Sequence, residues 1–485
     1  MATNSASIPP EQPCQLKQDK LKNFNVYQFD DHRFMRVVMV DSLPPEATGK
    51  LMAIYSRDPS SVTTHLDDIV KEKLEEFMAK WLVEYGHKSI GDCATISIFL
   101  EKVSMLTAKA IQDHPLYSGQ ETSTRYVNMS KQPLVDPIGS TESKFIHDTW
   151  MKFYDENQAE LANHIKLNNP RKEGQSEGVY NKTVKARVFD IMRSFIPAGL
   201  TTQLGWHTNV RQAYDKLHKL IHHPDPVIRE ESKMILEYCQ KAYPSCFNYK
   251  TYPATEEYYS KVYSDYTYHE NKTYEDIRIE SDINPADLTH HSYALMNRPI
   301  KTELPSVLDD LGTIKIRARL DFGSFRDLAR HRHGICKMPI LTTKLGFHTW
   351  YLNQMPPDMQ NRALLLIATQ TQRINDLDCT DLTRQYYIPM GFLVGCYLSY
   401  GLPSFVYIME LRSEKTVHPT LRMLCQQIRR KLDEDSGIDL VGQSYPYGGI
   451  FPKLMKLYVD MDVDSWTIKR GTQDIVRVNT HKLLQ

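Results

Sequence analysis

The sequence shows no excess of charge of either sign, since 59 lysines and arginines are matched by 59 aspartates and glutamates. A balanced charge gives no overall field that would recruit nucleic acid or an anionic membrane, so any anion-binding site has to be local. Long apolar runs are also missing, and no run approaches the roughly 18–20 residues that span a bilayer. We therefore expect a cytoplasmic protein without a nucleic-acid partner or a membrane segment.

Paired cysteines are absent as well. The 8 cysteines are scattered along the chain, and none belongs to a Cys-x-x-Cys pair or to a His/Cys cluster with zinc-finger spacing. This pattern predicts reduced thiols and no metal site. The first 20 residues contain Pro9, Pro10 and Pro13 but neither an apolar signal core nor the arginine-rich pattern of a transit peptide. Residues 1–20 are therefore interpreted as a disordered tail.

The length of 485 residues favours two or more domains, and the composition changes where a boundary is expected. Residues 248–285 are crowded with tyrosines and acidic side chains and show neither helical nor alternating periodicity, which indicates a packed connector. The connector separates an N-terminal domain at residues 21–247 from a C-terminal domain at residues 286–485. A weak repeat links these domains, because FIPAG at 195–199 resembles YIPMG at 387–391.

Local patterns predict the first elements of the N-terminal domain. Apolar residues recur at helical spacing over residues 65–85, which predicts an amphipathic helix that stops at Gly86. Residues 94–103 alternate and are rich in β-branched side chains, which predicts a strand that leads into a helix at residues 104–112.

The segment GQETSTRY at residues 119–126 has the composition of an anion-binding loop. A nucleotide monophosphate needs one fixed cation and several short donors, and Ser123, Thr124 and Arg125 supply these within three residues. The alternative interpretation is a capped helix start with Thr122 or Ser123 as the cap, and it is compatible with binding.

Two arginine motifs lie in the C-terminal domain. The triplet RHR at 330–332 ends a run that is apolar on one face, and a guanidinium fork can bind phosphate or carbonyl groups and stack on an aromatic ring. The alternative for this triplet is a solvated basic helix end. The motif ELR at 410–412 is followed by His418, and its alternative is a surface arginine on a helix that runs to Lys431.

Together, the TSTRY segment, the RHR triplet and the ELR motif resemble the signature elements of the flavin-dependent thymidylate synthases, the ThyX family. The resemblance implies a nucleotide site formed by Gln120, Glu121, Ser123, Thr124, Arg125, Asp327, Arg330 and Arg412. It implies flavin contacts from Arg330, His331, Arg332, His87, Ser118, Glu121, Asn209, Arg211 and His418.

Each half of the chain retains only part of that set. In the N-terminal domain the three positions of the RHR triplet read Asp113, His114 and Pro115, which cannot make the same contacts. In the C-terminal domain Ile340 stands where the family has a serine, and no SxRY segment follows. We infer a duplicated, fused and partly decayed pair whose two copies contribute to one composite site.

The resemblance implies an α+β fold with two tandem ThyX-like domains, each a mixed or antiparallel sheet flanked by long helices, packed as a pseudo-dimer. It further implies that two chains form a homodimer with a tetramer-like core. The partner of such a site is a small nucleotide.

The activity that the resemblance implies is reductive methylation of deoxyuridine monophosphate (dUMP) to thymidylate. FAD would carry the hydride, methylenetetrahydrofolate would donate the one-carbon unit and NADPH would be the reductant. Arg412 would stabilise negative charge on the pyrimidine, and Arg330 would orient it. Two alternatives stay open, namely a related modification such as hydroxymethylation and a non-catalytic nucleotide or flavin binder. An RNA-modifying flavoprotein is disfavoured by the balanced charge.

Overall fold

The computed structural model describes residues 17–21, 24–29, 37–41, 43–58, 60–66, 69, 71–269, 276–434 and 456–462. The chain forms two compact units. The smaller unit comprises Met1–Ile98, His207–His218 and Lys233–Thr255, and the larger unit comprises Phe99–Trp206, Lys219–Ser232 and Glu256–Gln485. The predicted N-terminal domain therefore contributes to both units. Among the described residues, no helix combines the length and the apolar character needed to cross a bilayer.

The fold is α+β, as expected, with antiparallel sheets and many helices. The strands are β1 (Lys17–Leu21), β2 (Phe24–Phe29), β3 (Val37–Asp41), β4 (Thr95–Ser104), β5 (Ser118–Glu121), β6 (Thr201–Asn209), β7 (Arg278–Ser281), β8 (Thr313–Asp321), β9 (Ile335–Lys337) and β10 (Leu393–Gly401). The helices up to residue 220 are α1 (Pro45–Tyr55), α2 (Val62–His65), α3 (Lys71–Met78), α4 (Lys88–Cys93), α5 (Met105–Gln112), α6 (Thr141–Glu156), α7 (Gln158–Asn168), α8 (Glu177–Met192) and α9 (Val210–Leu220). The later helices are α10 (Pro226–Ala242), α11 (Pro244–Phe247), α12 (Pro253–Tyr266), α13 (Pro285–Leu288), α14 (Ser292–Asn297), α15 (Phe322–Leu328), α16 (Thr349–Leu352), α17 (Pro357–Asp376), α18 (Asp381–Arg384), α19 (Leu402–Arg412) and α20 (Pro419–Glu434).

The smaller unit contains the antiparallel sheet β1-β2-β3 and the helices α1 to α4. Residues 17–20 of the predicted disordered tail instead form most of β1, while residues 1–16 lie outside the described residues. The helix predicted over residues 65–85 is divided, because α2 ends at His65 and α3 begins at Lys71 and continues into a π-helix at Ala79–Glu84. Gly86 has a φ of 68°, a conformation that costs glycine little, and it confirms the predicted stop.

Two sheets share the same plan, and most of their strand residues belong to the larger unit. The predicted strand and helix near residue 100 are confirmed as β4 and α5, and Ser104 caps α5 by accepting a hydrogen bond from Thr107 N. The first sheet has the order β4-β6-β5, and the second has the order β7-β8-β10-β9. In each sheet, a long strand is followed along the chain by a helix and then by a short strand. The next long strand lies in the sheet between the first long strand and the short strand, and two further helices follow it along the chain. The element order β4-α5-β5, β6-α9-α10 thus recurs as β8-α15-β9, β10-α19-α20.

The two echoed segments that the sequence indicated are hydrogen-bonded to each other. Pro197 and Pro389 form an antiparallel bridge. The backbone hydrogen bonds around this bridge come in pairs. In each pair, the donor and acceptor of one bond stand the same number of residues from the two prolines as those of the other bond. These bonds are Ala198 N to Ile388 O at 3.0 Å, Met390 N to Ile196 O at 2.9 Å, Gly199 N to Tyr386 O at 2.9 Å and Gly391 N to Ser194 O at 2.8 Å. The pairing has local two-fold symmetry in its backbone hydrogen bonds.

The predicted connector is more regular than its sequence pattern indicated. Residues Pro253–Tyr266 form α12, whereas no helix was expected between residues 248 and 285. None of the described side chains of α12 is fully buried, and its half-buried face is formed by Glu256, Tyr259, Val262 and Tyr263. The end of the connector forms β7, which pairs with β8.

A buried carboxylate makes the stability of the larger unit depend on pH. The Tyr386 hydroxyl donates to Asp225 Oδ1 at 3.1 Å, and the Asp225 side chain is fully buried. Burial raises the pKa of Asp225, although hydrogen bonds from Ile228 N, the Tyr386 hydroxyl and Val227 N partly offset this. The folded-state pKa of Asp225 lies above the ordinary value of 3.8. The contribution of Asp225 to the free energy of unfolding therefore falls as pH rises from the ordinary value through the folded-state pKa.

We therefore expect Asp225→Asn to be more stable than the wild type at pH 7, by on the order of 1 kcal/mol. The amide keeps an acceptor oxygen for Tyr386 but has no charge to desolvate. Urea unfolding at pH 4 to 7 should show the difference between the two proteins shrinking toward acid, with the exposed Glu257→Gln as the control. A difference that grows toward pH 4 would contradict this assignment.

Candidate active site

An open pocket in the larger unit is lined by residues that lie far apart in sequence. Its volume is about 360 Å³ including the solvent-facing mouth. Six of the residues predicted from the sequence line it, namely Glu121, Ser123, Thr124, Arg125, Asp327 and Arg330. Five other residues complete the lining, namely Gln112, Thr122, Arg193, Gly323 and Arg326. Four arginines face two carboxylates, so the pocket has an excess of positive charge that suits an anion.

The TSTRY segment forms one part of the lining as a turn that follows β5. Thr122 N donates to Gln203 O at 3.0 Å, which fixes the end of β5 to β6. Ser123 O then accepts from Tyr126 N at 3.2 Å and from Val127 N at 3.1 Å. The alternative of a capped helix start is wrong, because no helix begins until α6 at Thr141.

Arg125 is held in place by a buried carboxylate. Its Nε and Nη2 donate to the two oxygens of Asp190 at 2.7 and 3.1 Å, and its Nη1 donates to Thr416 O at 3.2 Å. Asp190 lies on α8 with no solvent exposure. A two-pronged contact of this kind fixes the plane of the guanidinium as well as its position.

The helix α15 supplies a second part of the lining. Asp321 caps this helix by accepting from Ser324 N at 2.8 Å. Arg326 forms an ion pair with Glu121, whose other oxygen accepts from Gln112 Nε2 at 2.7 Å. The chain of contacts joins α15 to the TSTRY loop, so the two motif-bearing parts of the chain meet in the same compact unit.

Arg193 and Asp327 form a largely buried ion pair in the pocket. The Arg193 side chain is 2% exposed, donates from Nη2 to Ser324 Oγ at 3.0 Å and lies 3.5 Å from Asp327 Oδ2. Burial alone would raise the pKa of Asp327, but the guanidinium groups of Arg193, Arg330, Arg125 and Arg412 hold it well below its usual range. Asp327 is therefore a carboxylate at neutral pH.

Arg330 is the most accessible arginine of the RHR triplet. Its side chain is 54% exposed and its Nη2 lies 3.7 Å from Asp327 Oδ1. Arg332 instead donates from Nε to Gln112 O at 2.7 Å, and its guanidinium lies 4.9 Å from the centre of the Tyr117 ring. One arginine of the triplet thus faces the pocket, while the other is tied to the helix end of α5 and to Tyr117.

His331 is paired with the arginine of the ELR motif. Arg412 Nε donates to His331 Nε2 at 2.7 Å. Burial, assisted by the positive charges of Arg412, Arg332 and Arg330, lowers the pKa of His331 to about 3. The imidazole is therefore neutral at pH 7, and because Nε2 accepts a hydrogen bond, the proton resides on Nδ1. Neither His331 nor Arg412 lines the pocket.

The end of the Arg412 helix is anchored by a late segment of the chain. Glu410, the first residue of the ELR motif, forms a buried ion pair with Arg298 and accepts from Tyr458 N at 2.9 Å. Ser413 Oγ accepts from Asp460 N at 2.9 Å. These contacts fix both sides of Arg412 along the helix.

Other predicted site residues lie away from the pocket lining. Ser118 and Gln120 are exposed on β5. His418 is fully buried, and its Nε2 donates to Asp190 O at 3.0 Å. His418 therefore helps to position Asp190, the residue that binds Arg125.

Three predicted flavin residues belong to the smaller unit. Asn209 Oδ1 accepts from Gln212 N at 2.9 Å at the start of α9. Arg211 pairs with Asp92 at 2.7 Å, and the His87 ring lies 5.6 Å from that of Trp81.

The sequence analysis missed two arginines that line the pocket. Arg326 is four residues before Arg330, a spacing typical of one helical face, and this spacing could have identified it although α15 ends at Leu328. Arg193 stands in an apolar stretch of α8 and the 3-10 helix that follows, where a charged residue needs a buried partner. That partner comes from α15, which no local pattern could reveal.

The donors around the triplet fit the flavin that the motifs imply. A neutral His331 with its proton on Nδ1 can donate to a carbonyl or ring nitrogen of an isoalloxazine, and Arg330 has an accessible guanidinium for a phosphate or a carbonyl. The chemistry of this donor set matches the acceptors that a flavin nucleotide presents.

Comparisons with known proteins identify part of the chain. Residues 39–245 match the family model of the thymidylate synthase complementing protein. A UPF0159 protein of Chlamydia muridarum is 23% identical over 478 residues, covering 82% of this chain and 89% of the relative. A UPF0159 protein of Thermoplasma acidophilum is 23% identical, covering 77% of this chain and 90% of the relative. Alignments of this length extend into both halves.

The family match includes the TSTRY segment and Arg193 and ends before the RHR triplet. It confirms the resemblance over the part of the chain that forms one side of the pocket. Residues 39–245 of this chain are a domain of the thymidylate synthase complementing protein family.

Proposed function

We propose that the chain catalyses the FAD-dependent reductive methylation of dUMP to thymidylate at the pocket of its larger unit. The observation that carries the proposal is the shared cationic pocket of the TSTRY loop and α15. A nucleotide monophosphate needs a fixed cation beside short donors, which the TSTRY loop supplies, and the segment of α15 and Arg330 adds polar groups for the base.

The phosphate is proposed to bind among Ser123, Thr124, Arg125 and Arg193. The turn at Ser123 brings hydroxyl groups beside a guanidinium that Asp190 already orients. Arg193 adds a second positive charge that is 2% exposed and therefore weakly screened by water. Both arginines are fixed before the ligand arrives, so little side-chain entropy is lost on binding.

The pyrimidine is proposed to lie beside Asp327 and Arg330. An ionised carboxylate can accept from an N–H of the base, and a guanidinium can donate to a carbonyl. This pair distinguishes a uracil edge, which has one N–H between two carbonyls, from a ring that offers acceptors alone. Arg412 then acts through His331, since its hydrogen bond to Nε2 makes the Nδ1 proton a stronger donor toward negative charge on the ring.

FAD is the proposed hydride carrier, with NADPH and methylenetetrahydrofolate as cosubstrates. When bound, the flavin supplies the redox chemistry. Arg330 and His331 are the residues of this chain proposed to hold it, by donating to its acceptor atoms. None of the described cysteines lines the pocket, which is consistent with a reaction that needs no thiol nucleophile from this chain.

The composite site is proposed to result from a tandem duplication in which the two copies pack as a pseudo-dimer. The repeated element order and the matched backbone bonds around Pro197 and Pro389 support this origin. Two chains are proposed to form a homodimer, as the family resemblance implies.

The test is incubation of the purified protein with dUMP, methylenetetrahydrofolate, FAD and NADPH, followed by mass analysis of the nucleotide. Thymidylate is the expected product. A hydroxymethylated product would favour the related modification, and bound flavin or dUMP without any product would favour the binding protein. Failure of both ligands to bind would refute the proposal.

Arg330→Ala is expected to lower thymidylate formation by about 100-fold or more, because one preorganised donor is worth roughly 100-fold to 1000-fold in rate. Its unfolding midpoint should stay near that of the wild type, since the side chain is 54% exposed and its ion pair with Asp327 is long, at 3.7 Å. Arg373→Ala is the control, because Arg373 is an ion-paired and partly exposed arginine on α17 outside the pocket. Equal activity of both variants would remove Arg330 from the mechanism.

A further inference from the structure

The repeat gives the pocket a counterpart elsewhere in the larger unit. Arg193 lies four residues before Pro197, and Gln385 lies four residues before Pro389. The two sheets agree with this correspondence, because Met105 N donates to Leu200 O and Phe322 N donates to Phe392 O, both at 3.1 Å. The helices α5 and α15 thus begin at equivalent positions, and the counterpart of the pocket lies near Gln385.

The counterpart has lost the excess of positive charge. Counting equally along α5 and α15, Lys109 stands for Arg326, Ala110 for Asp327 and Asp113 for Arg330. The segment after β9 replaces the TSTRY loop, with Met338 for Glu121 and Thr342 for Arg125. Lys109 is buried and lies 3.5 Å from Asp113, so the one remaining cation faces a carboxylate. At these equivalent positions no net positive charge is left to bind a phosphate.

The end of the connector occupies the space beside the replaced loop. His269 N donates to Met338 O at 2.8 Å, and His269 forms a parallel bridge with Pro339. The Tyr268 hydroxyl lies 3.5 Å from Gln385 Nε2, and the Tyr268 ring meets the His223 ring edge-on at 5.7 Å. Gln385 Oε1 also accepts from Leu341 N at 3.0 Å, so Gln385 links the replaced loop to the connector.

We propose that each chain presents one phosphate-binding site, because the counterpart of the pocket has lost its ligand-binding residues, and that Tyr268 and His269 fill the space left there. A tyrosine suits this place because its ring fills the space while its hydroxyl satisfies the amide of Gln385. The connector therefore does more than join the halves, since it fills a site whose ligand-binding residues are gone. The inference rests on the proposed function only for the identity of the nucleotide.

The first experiment measures how many dUMP molecules bind to each wild-type chain, by equilibrium dialysis at saturating nucleotide. One per chain is expected, and Tyr268→Ala should leave that number unchanged because the counterpart lacks the arginines. Arg193→Gln, which copies the residue at the counterpart, should bind at least about 100-fold more weakly. Two molecules per wild-type chain, or a second site in Tyr268→Ala, would overturn the proposal.

The second experiment does not depend on dUMP and so separates this inference from the proposed function. Tyr268→Ala should leave a cavity that p-cresol can fill, which raises the thermal unfolding midpoint of this variant by about 2 °C or more at a p-cresol concentration well above its Kd. The wild type and Tyr266→Ala should show no such rise, because Tyr266 is 72% exposed. Equal effects of p-cresol on all three proteins would refute closure by Tyr268 even if dUMP binds. If Tyr268→Ala does not fold, Tyr268→Leu in the same assay decides.

Discussion

Replacing Arg193 with glutamine is expected to destabilise the larger unit by about 3–5 kcal/mol, the cost of removing one partner of a buried ion pair. Arg193 is 2% exposed and lies 3.9 Å from Asp321 and 3.5 Å from Asp327. Without its guanidinium, Asp321 keeps hydrogen bonds from Ser324 N and the Tyr351 hydroxyl but loses its nearest positive charge. Urea unfolding at pH 7 measures the loss.

The pH dependence of that loss has a defined sign. The folded-state pKa of Asp327 is depressed by Arg193 and the neighbouring arginines, so its stabilising effect is present above the ordinary value of 3.8 and is lost as pH falls toward the folded-state pKa. The difference between wild type and Arg193→Gln should therefore shrink below about pH 4. The double variant Arg193→Gln with Asp327→Asn should recover part of the stability at pH 7, because no unpaired charge is left at position 327. If the free energy of unfolding of Arg193→Gln lies within about 1 kcal/mol of the wild-type value at pH 7, the buried ion pair is contradicted.

Mixing Arg125→Ala protein with Arg330→Ala protein is expected to restore no thymidylate formation. Both residues line a pocket formed within one chain, so each variant lacks part of every pocket it can form. Each variant alone should fall by about 100-fold or more in rate. The two proteins should be refolded together before the assay, so that their subunits can exchange.

The control for this experiment is wild-type protein refolded with the double variant Arg125→Ala, Arg330→Ala. Its activity should follow the fraction of wild-type chains. Recovery of activity in the mixture of single variants, above the sum of the two, would mean that the pocket is completed between chains.

The sequence predicted the local elements of the site but not all of its contacts. The strand and helix at β4 and α5 and the chemistry of the TSTRY loop follow from short-range patterns that fix backbone and donor types. The ion pair between Arg326 and Glu121 joins residues about two hundred positions apart, and no local pattern specifies such a pair. The same holds for Arg193, because the carboxylates that pair with it are Asp321, which caps α15, and Asp327, which lies on α15.

The errors have physical reasons as well. The connector helix α12 has no fully buried side chain among its described residues, and its half-buried face is made of two tyrosines, a glutamate and a single valine, so it lacks the aliphatic stripe on which helix prediction depends. The helix predicted over residues 65–85 is divided between His65 and Lys71, although Leu66 is buried like Leu74, Met78 and Leu82 and continues their apolar spacing. Periodicity reports a face that can be buried and says less about where a helix begins.

The backbone pairing between residues 194–199 and 386–391 limits how the gene can be divided. Main-chain bonds supply this contact, so each half produced alone would expose unpaired donors and acceptors at a hydrophobic edge. Such an edge pairs readily with identical chains, which leads to aggregation. Cutting the coding sequence at the connector should therefore yield insoluble fragments unless both are made together in the same cell.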